Sequence, residues 1–189
     1  MHRLHQGLLI ASMLALSWLM MQAVHEFGHV VAAWATGGTV TKVVLHPLAL
    51  SRTDVEPNPQ PLAVAWGGPL IGIAIPLLFW GIAVVTRPST SYLFRFFAGF
   101  CLVANGMYLG VGSFGAVGDA GDILRHGGPF WTLLVFGAAT VPLGFALWNR
   151  QASRFGIGPG APTVSSRLAW GCAIVLAAVI LLEWIFSGP

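Results

Sequence analysis

The chain has 189 residues, of which 56% are hydrophobic and only 8% charged, and its mean hydropathy is +0.79. That is far more apolar than a water-soluble domain of this length and predicts a polytopic membrane protein. Nine Lys and Arg against six Asp and Glu give a formal charge of +3, but the basic residues are scattered, which excludes a nucleic-acid footprint and leaves lipid headgroups as their counterpart.

In chain order, the first apolar run covers residues 7–24, resumes at 30–35 and stops at Gly37-Gly38. One long helix accommodates both parts. A cleaved signal peptide is the competing reading, with Arg3 ahead of the run and Ala23 as a cleavage position, but the run exceeds an ordinary signal core. Residues 39–50 alternate in part and are rich in β-branched side chains, which predicts a short hairpin or edge strand. Ser51-Arg52-Thr53-Asp54 and a proline-studded stretch then read as an extended connector. Further spans are predicted at 62–86, 92–114, 130–148 and 168–186, with Gly67-Gly68-Pro69 and Pro76 in the second suited to close helix packing and a kink. The loop between the third and fourth spans, 115–125, contains Asp119 and Asp122. The fold expected is an all-α polytopic membrane protein of about five transmembrane helices with a short β-hairpin or edge strand after the first, and 1–189 reads as a single transmembrane domain.

Chemistry concentrates at His25-Glu26-Phe27-Gly28-His29, an H-E-x-x-H pattern inside the first apolar helix. Residues four apart share a helical face, so the two imidazoles can meet one cation with Glu26 beside it. A glutamate at membrane depth costs about 2.5–3.5 kcal/mol or more unless it is paired or lines a wet cavity, which favours function over accident. A hydrolytic zinc site takes three protein ligands and keeps one open position, so a third ligand is needed, and Asp54, Glu56, Asp119, Asp122 and Glu183 are the available carboxylates. Zinc would acidify a bound water and polarise the scissile carbonyl, while Glu26 would take the water proton and pass it to the leaving amine. Asp119 and Asp122 are three apart and can share a helical face, so spacing alone does not choose between them. Glu183 near the end of the last span reads as an interfacial charge, His46 as a solvent-facing hairpin residue, Asp54 and Glu56 as solvated connector charges, and the tryptophans as interfacial belts.

The apolar helix with His25-Glu26-Phe27-Gly28-His29, Gly67-Gly68-Pro69 in the next span and the later Asp119-Ala120-Gly121-Asp122-Ile123-Leu124 resemble the site-2 protease family of intramembrane zinc metalloproteases. The resemblance covers about residues 7–124, a metalloprotease-like core, leaving two further helices at about 130–148 and 168–186. It implies His25 and His29 as zinc ligands, Glu26 as the catalytic glutamate, Asp119 as third ligand with Asp122 as the alternative, and Asn105 as a substrate contact. It further implies hydrolysis of peptide bonds in membrane-associated protein substrates, with the hairpin holding an unwound segment as an added strand, in a multi-pass protein of a bacterial-type cell membrane. Three features depart from the family pattern: Ala120 follows the aspartate where glycine is usual, the Asn-Pro run is missing, and Asn105 lies farther upstream. From another class, a non-catalytic membrane protein using the same metal for sensing, structure or transport stands as the alternative. Orientation is open, because the arginine distribution favours a cytoplasmic amino terminus, whereas the family resemblance implies a site toward the cytoplasm.

Overall fold

A computed structural model describes residues 2–186. Helix α1, His2–Ala35, is followed by strands β1, Val40–Val44, and β2, Arg52–Val55, then by α2, Pro61–Thr86, and α3, Ser91–Gly115. A short helix α4, Gly118–Arg125, precedes α5, Phe130–Trp148, and a 3-10 turn at Ala152–Phe155 leads to α6, Ser166–Phe186. Five of these helices are long and apolar enough to cross a membrane: α1, α2, α3, α5 and α6.

The outer faces of the long helices carry exposed apolar side chains such as Leu14, Leu78, Phe79, Ile82, Leu143, Ile174 and Leu181. In water they would be an aggregation hazard; in a bilayer they meet hydrocarbon. Exposed Trp34, Trp131 and Trp184 sit near the ends of α1, α5 and α6, where amphipathic rings suit the headgroup region. The polar side chains of α1 turn the other way, for Ser12, Ser17, Gln22, His25, Glu26 and His29 are all buried. The helix is therefore inverted relative to one in a soluble protein, with its polar residues inside.

Two apolar clusters hold the bundle. At the amino-terminal end of α1, Leu9, Met13 and Leu16 pack with Ala169 and Cys172 of α6 and Phe155 of the 3-10 turn. At the opposite end Ala65 of α2, Leu109 of α3, Ala120 and Ile123 of α4 and Leu133 of α5 form a second cluster, which seats α4 against the bundle. Between α3 and α5 the fit is made by small residues: a Cβ on Gly137 would lie 2.9 Å from the Gly106 carbonyl oxygen and 3.1 Å from the Gly110 Cα, and one on Gly144 would lie 2.7 Å from the Gly99 carbonyl oxygen. Close backbone approach of this kind drives helix association where lipid offers no hydrophobic gain.

Two local elements differ from the expectation. The return strand is Arg52–Val55, taken from the sequence as connector, and it pairs antiparallel with β1 through Val40↔Val55, Lys42↔Asp54, Val43↔Thr53 and Val44↔Arg52. Its composition is polar because one face meets polar groups of α1 and the other meets water, so apolar alternation is absent. Residues 118–125, expected as loop, form α4, with Asp119 in its first turn and Arg125 in its last, as the helix dipole favours. Eight residues are too few to show a helical hydrophobic period.

Replacing Gly137 by Ala should destabilise the protein by about 1–3 kcal/mol through overpacking, read as a lower melting temperature in detergent. Gly171→Ala, where nothing lies within 4 Å of the added methyl, should leave it unchanged.

Candidate metal centre

The motif lies in the last third of α1, and its two variable positions have separate tasks. Phe27 is 48% exposed and faces outward. A Cβ at Gly28 would collide with the carbonyl of Gly67, and one at Gly67 with Ala32 and the Gly28 carbonyl. Gly68 meets the imidazoles themselves, since its Cβ would collide with the Nε2 and Cε1 atoms of His29 and lie 2.8 Å from His25 Nε2. The pair Gly67-Gly68 therefore serves more than packing: it leaves the volume that the imidazoles fill.

Each imidazole is oriented from outside α1. His29 Nδ1 donates to the Val64 carbonyl of α2 at 2.8 Å, and His25 Nδ1 donates to Asn105 Oδ1 of α3 at 2.7 Å. With both Nδ1 atoms bearing the proton, both Nε2 lone pairs are directed to the site, as in metal-binding histidines whose other ring nitrogen donates to a neighbouring oxygen. The rings lie 4.8 Å apart, edge to face. Asp119 Oδ2, from the first turn of α4, sits 2.8 Å from His25 Nε2 and 3.3 Å from His29 Nε2. Donors about 2 Å from a shared tetrahedral centre stand roughly 3.3 Å apart, and the two distances from Asp119 Oδ2 to the imidazoles are close to that spacing. The donor atoms of His25, Glu26 and His29 also lie within 4.8 Å of one another, which puts Glu26 beside the same point.

Burial pushes the Asp119 carboxyl up, but when the imidazoles carry a proton on Nε2 as well, their hydrogen bonds and charge outweigh it and hold its pKa down at about 2. A group depressed in this way contributes stability above its ordinary pKa and loses it as pH falls from there through about 2. Asp122 lines the same cavity but is ion-paired with Arg125 and exposed to solvent. Glu183 is buried on α6, and His46 packs against Trp184 with ring centroids 5.1 Å apart; neither lines the cavity. Asp54 pairs with Arg52 at 3.3 Å on the exposed side of β2. Asn105 is 1% exposed, and its amide is engaged at both ends, by His25 and by the Cys101 carbonyl that its Nδ2 reaches at 2.9 Å.

Residues that sequence reasoning passed over complete the surroundings. Tyr108, one helical turn beyond Asn105, accepts the Asp119 N–H at 3.1 Å and packs edge-on against His25. A Cβ on Gly118, which has φ +53°, would strike the Tyr108 hydroxyl, so glycine is required there for both conformation and space. Ser51 and Thr53 of the hairpin donate to the two carboxylate oxygens of Glu26. The cavity in front of this centre measures about 770 Å³ and is walled by α1, the hairpin, α2, α3 and α4, with Thr41, Thr53, Asp54, Asn58 and His126 among its polar lining.

Fold and site together define a multi-pass integral membrane protein with a buried His-Glu-His cluster able to hold a metal ion. The sequence profile described as Peptidase M50B-like matches residues 6–111, more than half of the chain, and the protein belongs to that family, a site-2 protease family. The matched segment contains the H-E-x-x-H helix, Gly67-Gly68 and Asn105 and ends before Asp119. No curated protein and no solved structure matches the chain.

Gly68→Ala should push the imidazoles apart and weaken binding of a divalent metal by about tenfold or more, as loss of the groups that orient metal-binding histidines does. Isothermal titration of the metal-stripped protein measures this, with Gly81→Ala, which meets nothing within 4 Å, as the neutral control.

Proposed function

We propose that this protein is an intramembrane zinc metallopeptidase that hydrolyses peptide bonds of membrane-associated proteins. The observation that carries the reading is the convergence of His25 Nε2, His29 Nε2 and Asp119 Oδ2 beside Glu26 at the wall of a polar cavity within an apolar bundle. Two imidazoles and a carboxylate suit zinc and leave a fourth position free, as catalytic rather than structural sites do. Bound there, zinc would supply Lewis acidity toward the scissile carbonyl and toward water.

The chain's own residues divide the remaining work. Asp119 serves as third ligand in preference to Asp122, because its carboxylate touches both imidazoles whereas that of Asp122 is committed to Arg125. Glu26 acts as general base, taking the proton of the attacking water and returning it to the departing amine. Asn105 holds the His25 ring rather than the substrate, since its amide is spent within the bundle. The polar cavity admits water, and peptide groups of an unwound segment find donors and acceptors along the free edge of β2, which borders the cavity.

Purified protein should carry about one zinc per chain, and Glu26→Gln should keep that zinc while cleaving transmembrane-segment peptides at least about 100-fold more slowly. Undiminished cleavage by that variant, followed by mass spectrometry, would rule the assignment out. In the same preparation Asp119→Asn should weaken zinc binding by about 100-fold or more, and Asp122→Asn by no more than about threefold.

A further inference from the structure

Glu26 is held less by its own helix than by the hairpin. Ser51 Oγ donates to Glu26 Oε1 and Thr53 Oγ1 to Glu26 Oε2, both at 2.7 Å. The Ser51 N–H donates in addition to Gln22 Oε1 at 3.1 Å, one turn earlier on α1. Gln22 and Glu26 are 7% and 3% exposed, so these two polar side chains of a membrane helix find partners on the same short segment of chain.

The segment's local geometry explains the match. In extended backbone, alternate residues point to opposite faces, so Ser51 and Thr53 face α1 together while Arg52 and Asp54 face solvent and pair with each other. Each carboxylate oxygen has two acceptor positions. One hydroxyl on each oxygen therefore fixes the plane of the carboxylate and still leaves a lone pair on each for water. Hydrogen bonds to an ionised group are stronger than neutral ones, and two of them on different oxygens restrain rotation as one cannot.

We propose that Ser51 and Thr53 are positioning residues for Glu26, their hydroxyls fixing the proton acceptor from the strand that borders the cavity and so tying its placement to the seating of β2. The proposal rests on the assignment of Glu26 as general base. It makes the hairpin part of the catalytic apparatus, because a substrate segment that pairs along β2 would engage the strand that aims the base.

The test compares wild type, Thr53→Val, Thr53→Ser, the Ser51→Ala/Thr53→Ala double variant and Glu26→Gln, with kcat, KM and zinc content measured on a transmembrane-segment peptide. Loss of a hydrogen bond to a charged group predicts a kcat lower by about tenfold in Thr53→Val and by about 100-fold in the double variant, at unchanged zinc content and with KM within about twofold. Thr53→Ser should retain kcat within about threefold of wild type, which a mere packing role for the threonine methyl would not produce. A second readout needs no turnover: in zinc-depleted protein, amide hydrogen exchange over residues 51–55 should rise about tenfold in both Glu26→Ala and the double variant. A kcat in the double variant equal to or above wild type, or exchange that does not change in either variant, overturns the proposal. If the double variant does not accumulate, the Thr53→Val and Thr53→Ser pair decides by the same criteria. Wild-type cleavage no faster than that of Glu26→Gln would overturn the hydrolase reading and this proposal with it, whereas full activity of the double variant beside an inactive Glu26→Gln overturns this proposal alone.

Discussion

The approach of α1 to α2 through Gly28, Gly67 and Gly68 is the constraint on which the rest of the structure depends. A single methyl at Gly68 would claim the space of the His25 and His29 ring edges, and a methyl at Gly28 or Gly67 would drive the two backbones apart. Only at this separation can the Val64 carbonyl reach His29 Nδ1. The same contact puts Ala65 into the cluster that includes Ala120 and Ile123 of α4, and α4 is what brings Asp119 to the imidazoles. Helix packing and metal-site geometry are therefore one problem here, solved by the absence of side chains at three positions.

A second constraint is the cost of polarity inside lipid. Unsatisfied polar groups in hydrocarbon cost several kcal/mol each, and α1 brings a line of them. Each member of the site is satisfied by a different element: His29 by α2, His25 by α3 and α4, Glu26 and Gln22 by the hairpin. This distribution makes the site a product of the assembled bundle, since α1 alone would carry four unmatched polar side chains. Among the described residues, Ser17 Oγ, Asn58 Oδ1, Arg95 Nε, Gln151 Oε1 and Glu183 Oε2 are buried without a partner, and of these residues Asn58 alone lines the cavity.

What could be read in the sequence follows the strength of these two constraints. The long helices were legible because each needs about 20 apolar residues to cross a bilayer, and their bounds were marked by Gly37-Gly38, the prolines before α2 and the polar stretch 149–167. The H-E-x-x-H pair was legible because charge and imidazole at membrane depth demand a reason. Which aspartate meets the histidines was not, because Asp119 and Asp122 have equivalent spacing and only the placement of α4 brings Asp119 to the imidazoles and leaves Asp122 with Arg125. Asn105 was noticed as a polar residue in a span, but its use, as the acceptor for His25 Nδ1, depends on the crossing of α1 and α3. Ser51 and Thr53 gave no signal of their own, since a Ser-Arg-Thr-Asp stretch is ordinary loop chemistry until its alternation is laid against a buried glutamate.

That last contact bears on how the proposed hydrolysis would proceed beside a bilayer. A helical substrate hides its peptide carbonyls in internal hydrogen bonds, and a segment unwound in hydrocarbon would leave them unmatched. In the proposed reaction the hairpin would answer both needs at once: its free edge would take up the backbone groups of an extended segment, and its inner face would hold the carboxylate that receives a proton from water. Because extended backbone would separate these two functions onto the edge and the face of one short segment, Ser51 with β2, neither would have to be sacrificed for the other. The polar composition that hides β2 from a hydrophobic-pattern reading is thus the direct result of facing a buried glutamate on one side and water on the other.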